Sequence, residues 1–167
     1  MRRRADAVAA VAPADLPCAC ATARRISRLL TQAYDRHLRE AGVESTQFAL
    51  LSVLASAGPC TQAAIGQRFG FDKSTLSRNL KVLRERGWIA DAQAVSVRER
   101  PCALTAEGRR RLKAATPGWR KAQAALRASL GDAGWEAMWT TFRQVAAAGH
   151  PRLTRRRGGG ARAGSSS

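Results

Sequence analysis

The stretch FDKSTLSRNLKVLRERG, residues 71–87, decides how the rest of the chain is read. Asp72 is a good N-cap, because its carboxylate can accept the unpartnered N–H groups of a first helical turn. Gly87 is a good stop, since glycine takes the left-handed backbone at C′ without strain. Between them Leu76, Leu80 and Leu83 recur at i, i+4 and i+7, which predicts one short helix with one buried stripe. Lys73, Ser74, Ser77, Arg78, Lys81 and Arg84 fall mostly off that stripe. A leucine row backed by short hydroxyls and cations suits a helix in a DNA major groove, where hydroxyls and arginines reach base edges and lysines neutralise phosphate. It also suits an ordinary amphipathic surface helix with a solvated basic face, and the helix alone favours that second reading.

The neighbours reverse this. Residues 61–70, TQAAIGQRFG, predict a short helix capped by Thr61, buried through Ala64, Ile65 and Phe69 and ended by Gly70. Two short helices around a tight glycine turn make a helix-turn-helix. Residues 88–90 and 101–104 read as strands on either side of a polar, arginine-bearing connection, and a helix-turn-helix followed by a two-stranded hairpin is a winged helix. Taken together, STLSRNLKVLRERGWI (74–89), VRERPCALTAEGRRRL (97–112) and TQFALLSVLASAGPCTQAAIGQRFGFD (46–72) resemble the MarR family of winged-helix transcriptional regulators, over residues 18–149. The combination carries the resemblance; no single piece would. It implies that the helix beginning near Asp72 enters the major groove and that the wing reaches the adjacent minor groove through an arginine, by motif position Arg98. The family often has an aspartate two residues before this arginine; here that position is Ser96, which leaves Arg98 less firmly oriented.

The expected DNA contacts are Thr61, Gln62, Lys73, Ser74, Thr75, Ser77, Arg78, Lys81, Arg98 and Arg100. Ser74, Thr75, Ser77 and Arg78 are expected at base edges, Lys73 and Lys81 on phosphates. The expected fold is mainly α: a winged helix-turn-helix core over 45–104 with a two-stranded β-wing, flanked by dimerisation helices over 18–40 and 105–149. Residues 1–17 and 150–167 are expected to be disordered basic arms.

Charge points the same way. The 167 residues carry a formal charge of +17, from 29 Lys and Arg against 12 Asp and Glu. Eight of those cations and two of those acids lie outside residues 18–149, which leaves +11 for that span. A basic folded part favours a polyanionic partner. Double-stranded DNA fits better than a membrane, on the premise that no strongly apolar helix face is left spare. Free use of arginine in a GC-rich genome accounts for the tails better than for the helix-turn-helix. No apolar run reaches the roughly 18 residues of a membrane span. The arginine-rich start is a poor signal peptide, because Asp6 and Pro13 interrupt it. The expected location is cytoplasmic.

The remaining helices are read from spacing. Ile26, Leu29, Leu30, Ala33, Tyr34, His37 and Leu38 predict a first helix over 21–40, ended by Gly42. A second, from Ser45 or Thr46, is expected to bury Phe48, Leu51, Val53 and Leu54. Thr105 can cap the next, which Pro117 is expected to kink or restart with Thr116 as a new cap. A last helix from Asp132 carries Trp135, Met138, Trp139, Phe142 and Val145. The resemblance makes the first and the last two helices a dimer interface; the alternative is that they pack on their own domain. Trp119, Trp135, Trp139 and Phe142 exceed what a minimal winged helix needs, which favours a homodimer and a palindromic operator.

No metal or cofactor is expected. Only His37 and His150 could join the cysteines, and neither has ligand spacing with them. There is no phosphate loop, dinucleotide fingerprint or nucleophile elbow, so no enzyme is expected. An intracellular setting argues against structural disulfides among Cys18, Cys20, Cys60 and Cys102. Cys18 and Cys20 stand at the entrance of the first helix, where the helix dipole and Arg24 could lower a thiol pKa. They read either as an oxidant sensor, as the resemblance allows near this end of the chain, or as small inert packing residues. The leading function is a regulator, usually a repressor in this family. It would be released by a small phenolic or lipophilic effector, in a pocket that the resemblance puts near Tyr34, His37, Phe48 and Trp119, or by thiol oxidation. The competing class is a thiol-redox enzyme using Cys18 and Cys20, with an incidental basic surface.

Overall fold

The computed structural model describes residues 18–92 and 101–149. Helix α1 (Ala19–Leu38) runs into a 3-10 turn (Arg39–Ala41), followed by α2 (Ser45–Ala57), α3 (Gln62–Phe69) and α4 (Lys73–Glu85). Strands β1 (Ile89–Asp91) and β2 (Cys102–Leu104) lead to α5 (Ala106–Gly149). The strands are antiparallel, with Ile89 opposite Leu104, Ala90 opposite Ala103 and Asp91 opposite Cys102. This is the expected mainly α winged helix. The chain divides into two compact units, Met1–Ala122 and Gln123–Ser167.

In the first unit, side chains from α1, α2, α3, α4, the hairpin and α5 share one core, with Leu38, Leu50, Leu51, Ile65, Leu80 and Cys102 fully enclosed. Local chemistry sets the ends of its helices. Glu44 and Gln47 form a reciprocal capping box at the start of α2, and Ser45 N–H donates to Asp35 Oδ1 at 2.7 Å, tying α2 to α1. Two burial expectations are corrected. In α2 it is Leu50, not Val53, that is fully enclosed; α2 is covered over more than one face, so no single stripe describes it. In α3 Ala64 is exposed and only Ile65 is buried, because a helix of 8 residues presents little more than one side chain to the core. Phe69 is half-buried and stacks on Phe71, ring centroids 5.3 Å apart.

The expected break at Pro117 is also corrected. The backbone stays helical through it, and the Thr116 hydroxyl donates to the Leu112 carbonyl at 2.7 Å instead of capping a new helix. Proline's missing N–H removes one rung of the ladder without forcing the chain out of helical dihedrals. The non-helical residue of α5 is Gly131, at φ 68° and ψ 168°, and the helix resumes after it, where Asp132 was the expected start.

Two other glycines allow backbone to meet backbone. A Cβ on Gly108 would overlap the carbonyl oxygen of Trp88, and one on Gly118 would overlap that of His37. Thr105 secures the first of these junctions: its hydroxyl donates to Gly87 O at 2.7 Å and accepts Gly108 N–H at 3.0 Å.

In the second unit, Trp135 meets Trp139 edge-on at 5.8 Å, and Trp139 meets Phe142 likewise at 6.0 Å. Trp139 (39%), Phe142 (41%) and Val145 (64%) remain exposed. In the first unit Ile26 and Leu29 of α1 are exposed as well. The premise that no apolar face is left spare therefore fails for the single chain. Among the described residues, no helix is long and apolar enough to cross a membrane.

Candidate nucleic-acid interface

Helix α4 is fixed at both ends. Asp72 accepts Thr75 N–H at 2.8 Å and the hydroxyls of Ser74 and Thr75 at 2.6 Å each. At the other end Trp88 N–H reaches Leu83 O at 2.9 Å and Gly87 N–H reaches Arg84 O at 2.8 Å, the two bonds of a Schellman motif, with Gly87 at φ 68°. Burial of Leu76, Leu80 and Leu83 then sets the rotation. It leaves Lys73, Ser74, Ser77, Arg78 and Lys81 exposed and Thr75 half-buried.

The Asp72 network alters what this face offers. The Ser74 hydroxyl, then that of Thr75, hold the Asp72 carboxyl well below the usual carboxylate range. Because both hydroxyl protons point at Asp72, the capacity left on those oxygens is that of acceptors, which suits an exocyclic amino group on a base edge. Arg78 Nε lies 3.4 Å from the Ser74 carbonyl. Lys81 pairs with Glu85 at 3.8 Å, an exposed contact that gains little in water and leaves the lysine available to phosphate. Thr61 uses its hydroxyl oxygen to cap α3, accepting Ala64 N–H at 3.2 Å, and Gln62 follows it, half-buried. Arg98 and Arg100 lie outside the described residues.

Arg84 departs from the expected basic face. Its Nε and Nη2 bind Asp91 Oδ1 at 3.0 and 2.9 Å, and Nη2 also reaches Cys102 Sγ at 3.4 Å. It therefore belongs to the hairpin. Sequence spacing gave no sign of this, because the partners come from both strands.

Within the first unit, a cavity of about 400 Å³ opens between α2 and α5, lined by Phe48, Ser52, Ala55, Ser56, Leu112, Thr116 and Trp119. Phe48 and Trp119 stack across it at 5.6 Å. Two of the four expected pocket residues are thus brought together and two are not. Tyr34 packs against the core, where burial raises its hydroxyl pKa, and His37 is exposed on α1. Ser52, Ala55 and Ser56 escaped the sequence reading because small residues on a helix carry no signal of their own. Cys18, at the N-cap of α1, and Cys20, in its first turn, are both exposed. Among the described residues no cluster of three or more His, Cys, Asp or Glu could hold a metal ion.

Comparison with known proteins agrees with this geometry. The model of the MarR family matches residues 41–95. The crystal structure of the M. tuberculosis transcriptional regulator MosR is 37% identical, covers 79% of this chain and 95% of its own, and superposes with a TM-score of 0.70. The structure of MosR in complex with DNA is 39% identical, covering 78% and 97%, with a TM-score of 0.68. PcaV of Streptomyces coelicolor, solved with its natural ligand, is 25% identical over 84% of this chain and 99% of its own, with a TM-score of 0.72. The HTH-type transcriptional regulator YwoH of Bacillus subtilis is 29% identical over 117 residues, 70% of this chain and 85% of that protein. These relatives are transcriptional regulators, which does not favour the thiol-redox enzyme. The chain belongs to the MarR family of winged-helix, DNA-binding transcriptional regulators.

Proposed function

We propose that residues 18–149 act as a homodimeric repressor of a palindromic operator, in the cytoplasm. Ser74, Thr75, Ser77 and Arg78 read base edges in the major groove, Lys73 and Lys81 hold phosphates together with Thr61 and Gln62, and Arg98 with Arg100 takes the minor groove. The observation that carries this is the rotation of α4, locked by three buried leucines and two complete caps. The dimer is supported by the apolar face of Trp139, Phe142 and Val145, exposed on the single chain. Release by a small phenolic or lipophilic effector is supported by the cavity between α2 and α5, where Phe48 and Trp119 offer rings and Ser52, Ser56 and Thr116 offer hydroxyls. Release by oxidation is a second reading, supported by the exposure of both Cys18 and Cys20.

The test is binding to operator and to scrambled DNA at several salt concentrations. Arg78→Ala should cost about 1–3 kcal/mol on the operator and blur one position. Lys81→Ala should weaken both DNAs alike and reduce the salt slope by about one unit. If Arg78→Ala weakens both equally while Lys81→Ala changes only operator preference, the assigned face of α4 is wrong. Peroxide added to the wild type and to Cys18→Ser/Cys20→Ser separates the two release readings.

A further inference from the structure

Cys60 and Cys102 lie far apart in sequence and directly opposite each other in space. They form an isolated antiparallel bridge, with Cys60 N–H donating to Cys102 O at 3.0 Å and Cys102 N–H donating to Cys60 O at 2.8 Å. Opposed residues that exchange both bonds put their side chains on the same face, with Cα atoms about 5.5 Å apart. That separation is inside the range a disulfide spans. The two thiols differ in surroundings. Cys60 is partly exposed, while Cys102 is fully buried. Burial pushes the Cys102 thiol up, and the Arg84 guanidinium, 3.4 Å from Sγ, acts against that shift and favours thiolate.

We propose that Cys60 and Cys102 are a reversible redox pair, oxidised by a hydroperoxide to a disulfide that ties the connection ahead of α3 to strand β2 and lowers operator affinity. Only the last clause rests on the DNA-binding reading above. The Cys60 thiolate attacks a peroxide oxygen; the O–O bond breaks, and water or an alcohol leaves with the thiol proton. The Cys60 sulfenic acid is then attacked by Cys102 Sγ. The S–S bond forms, the S–O bond breaks, and hydroxide leaves as water with the Cys102 proton. Two thiols have supplied two electrons to one hydroperoxide, and an external dithiol reverses the step.

The site is placed to affect both DNA-facing elements. Cys60 immediately precedes Thr61, the cap of α3, and Cys102 is the first residue of β2. Arg84, in the last turn of α4, touches Cys102 Sγ and must adjust as that sulfur is drawn toward Cys60. A disulfide draws the Cβ atoms to about 3.5–4.5 Å, closer than an open cross-strand pair requires, so the two backbones must shift.

The test uses the full chain carrying Cys18→Ser/Cys20→Ser, so that only Cys60 and Cys102 can respond. Reduced protein is treated with stoichiometric hydrogen peroxide, alkylated, and digested without reduction. The expected result is one linked peptide pair containing Cys60 and Cys102, lost on dithiothreitol treatment, together with a fall of about tenfold in operator affinity. Cys60→Ser in the same background, or Cys60→Ala, should show neither. Separate alkylation of both cysteines after peroxide, or a Cys60–Cys60 link between protomers, overturns the pairing. A linked pair with unchanged operator affinity overturns the regulatory role. The link is read without DNA, so failure of the operator reading leaves the pairing to be decided on its own.

Discussion

Helix α4 and the helix that follows Gly131 carry the same sequence signal, an apolar row at helical spacing, and the structure treats the two rows oppositely. Leu76, Leu80 and Leu83 are at most 2% exposed, whereas Trp139, Phe142 and Val145 stand 39–64% exposed. Periodicity states that a face wants covering and is silent about what covers it. In α4 the cover is the chain itself, so the opposite polar face is the one left for another molecule. In the last helix the apolar face is the one left over. Each helix thus offers a surface, and the surfaces are of opposite chemistry.

This contrast can be broken at several points. The largest expected effect is Leu80→Ala. It should cost roughly 2–5 kcal/mol of unfolding free energy in denaturant titration, the range for emptying an enclosed leucine site. A loss of under about 1 kcal/mol would mean that the α4 row is no better covered than the last one. Trp139→Ala should behave in the reverse way. At a 39% exposed position, with two edge-on ring contacts to lose, it should change the stability of the single chain less than Leu80→Ala does, yet weaken self-association by about 2 kcal/mol or more, near 30-fold in dissociation constant by sedimentation. A wild type that sediments as a folded monomer at micromolar concentration would remove the reason for the contrast. Thr61→Ala should cost about 1 kcal/mol through the lost α3 cap, in the same titration.

The smallest effect is a pH dependence. The folded Asp72 carboxyl is held below its ordinary 3.8, first by the Ser74 hydroxyl and then by that of Thr75. A depressed folded pKa contributes stability that is fully present above the unfolded value and is lost as pH falls through the folded value. Asp72→Asn should therefore be less stable than wild type at neutral pH, with the gap narrowing only below about pH 4. A gap that stays constant down to the acid limit would show that the cap acts through geometry alone.

The helix-turn-helix was legible because its determinants are local: Asp72, the leucine spacing and Gly87 lie within one short stretch. What escaped was decided by residues distant in sequence. The choice of Leu50 over Val53 depends on how many neighbours α2 has, and the fate of Pro117 on the helix around it. The Arg84 contacts with Asp91 and Cys102 depend on strand register, which no spacing encodes. At the candidate interface the residue types were readable, but the engagement of Ser74 and Thr75 with Asp72, and hence their acceptor character, was not. Phe48 and Trp119 were found as large rings, while His37 shares the helical phase of α1 without lining the cavity.

Gly108 and Gly118 set how closely α5 meets its neighbours. They lie about 15 Å apart along α5 at the rise of a helix, and at each the α5 backbone abuts another backbone with no side chain between. One abutment is Trp88, the root of the hairpin; the other is His37, near the end of α1. Over that length α5 works as a connecting rod with rigid bearings at both ends. The end of α1 and the root of the hairpin therefore both rest directly on the same stretch of α5, so a side chain at either glycine would push one of them off it.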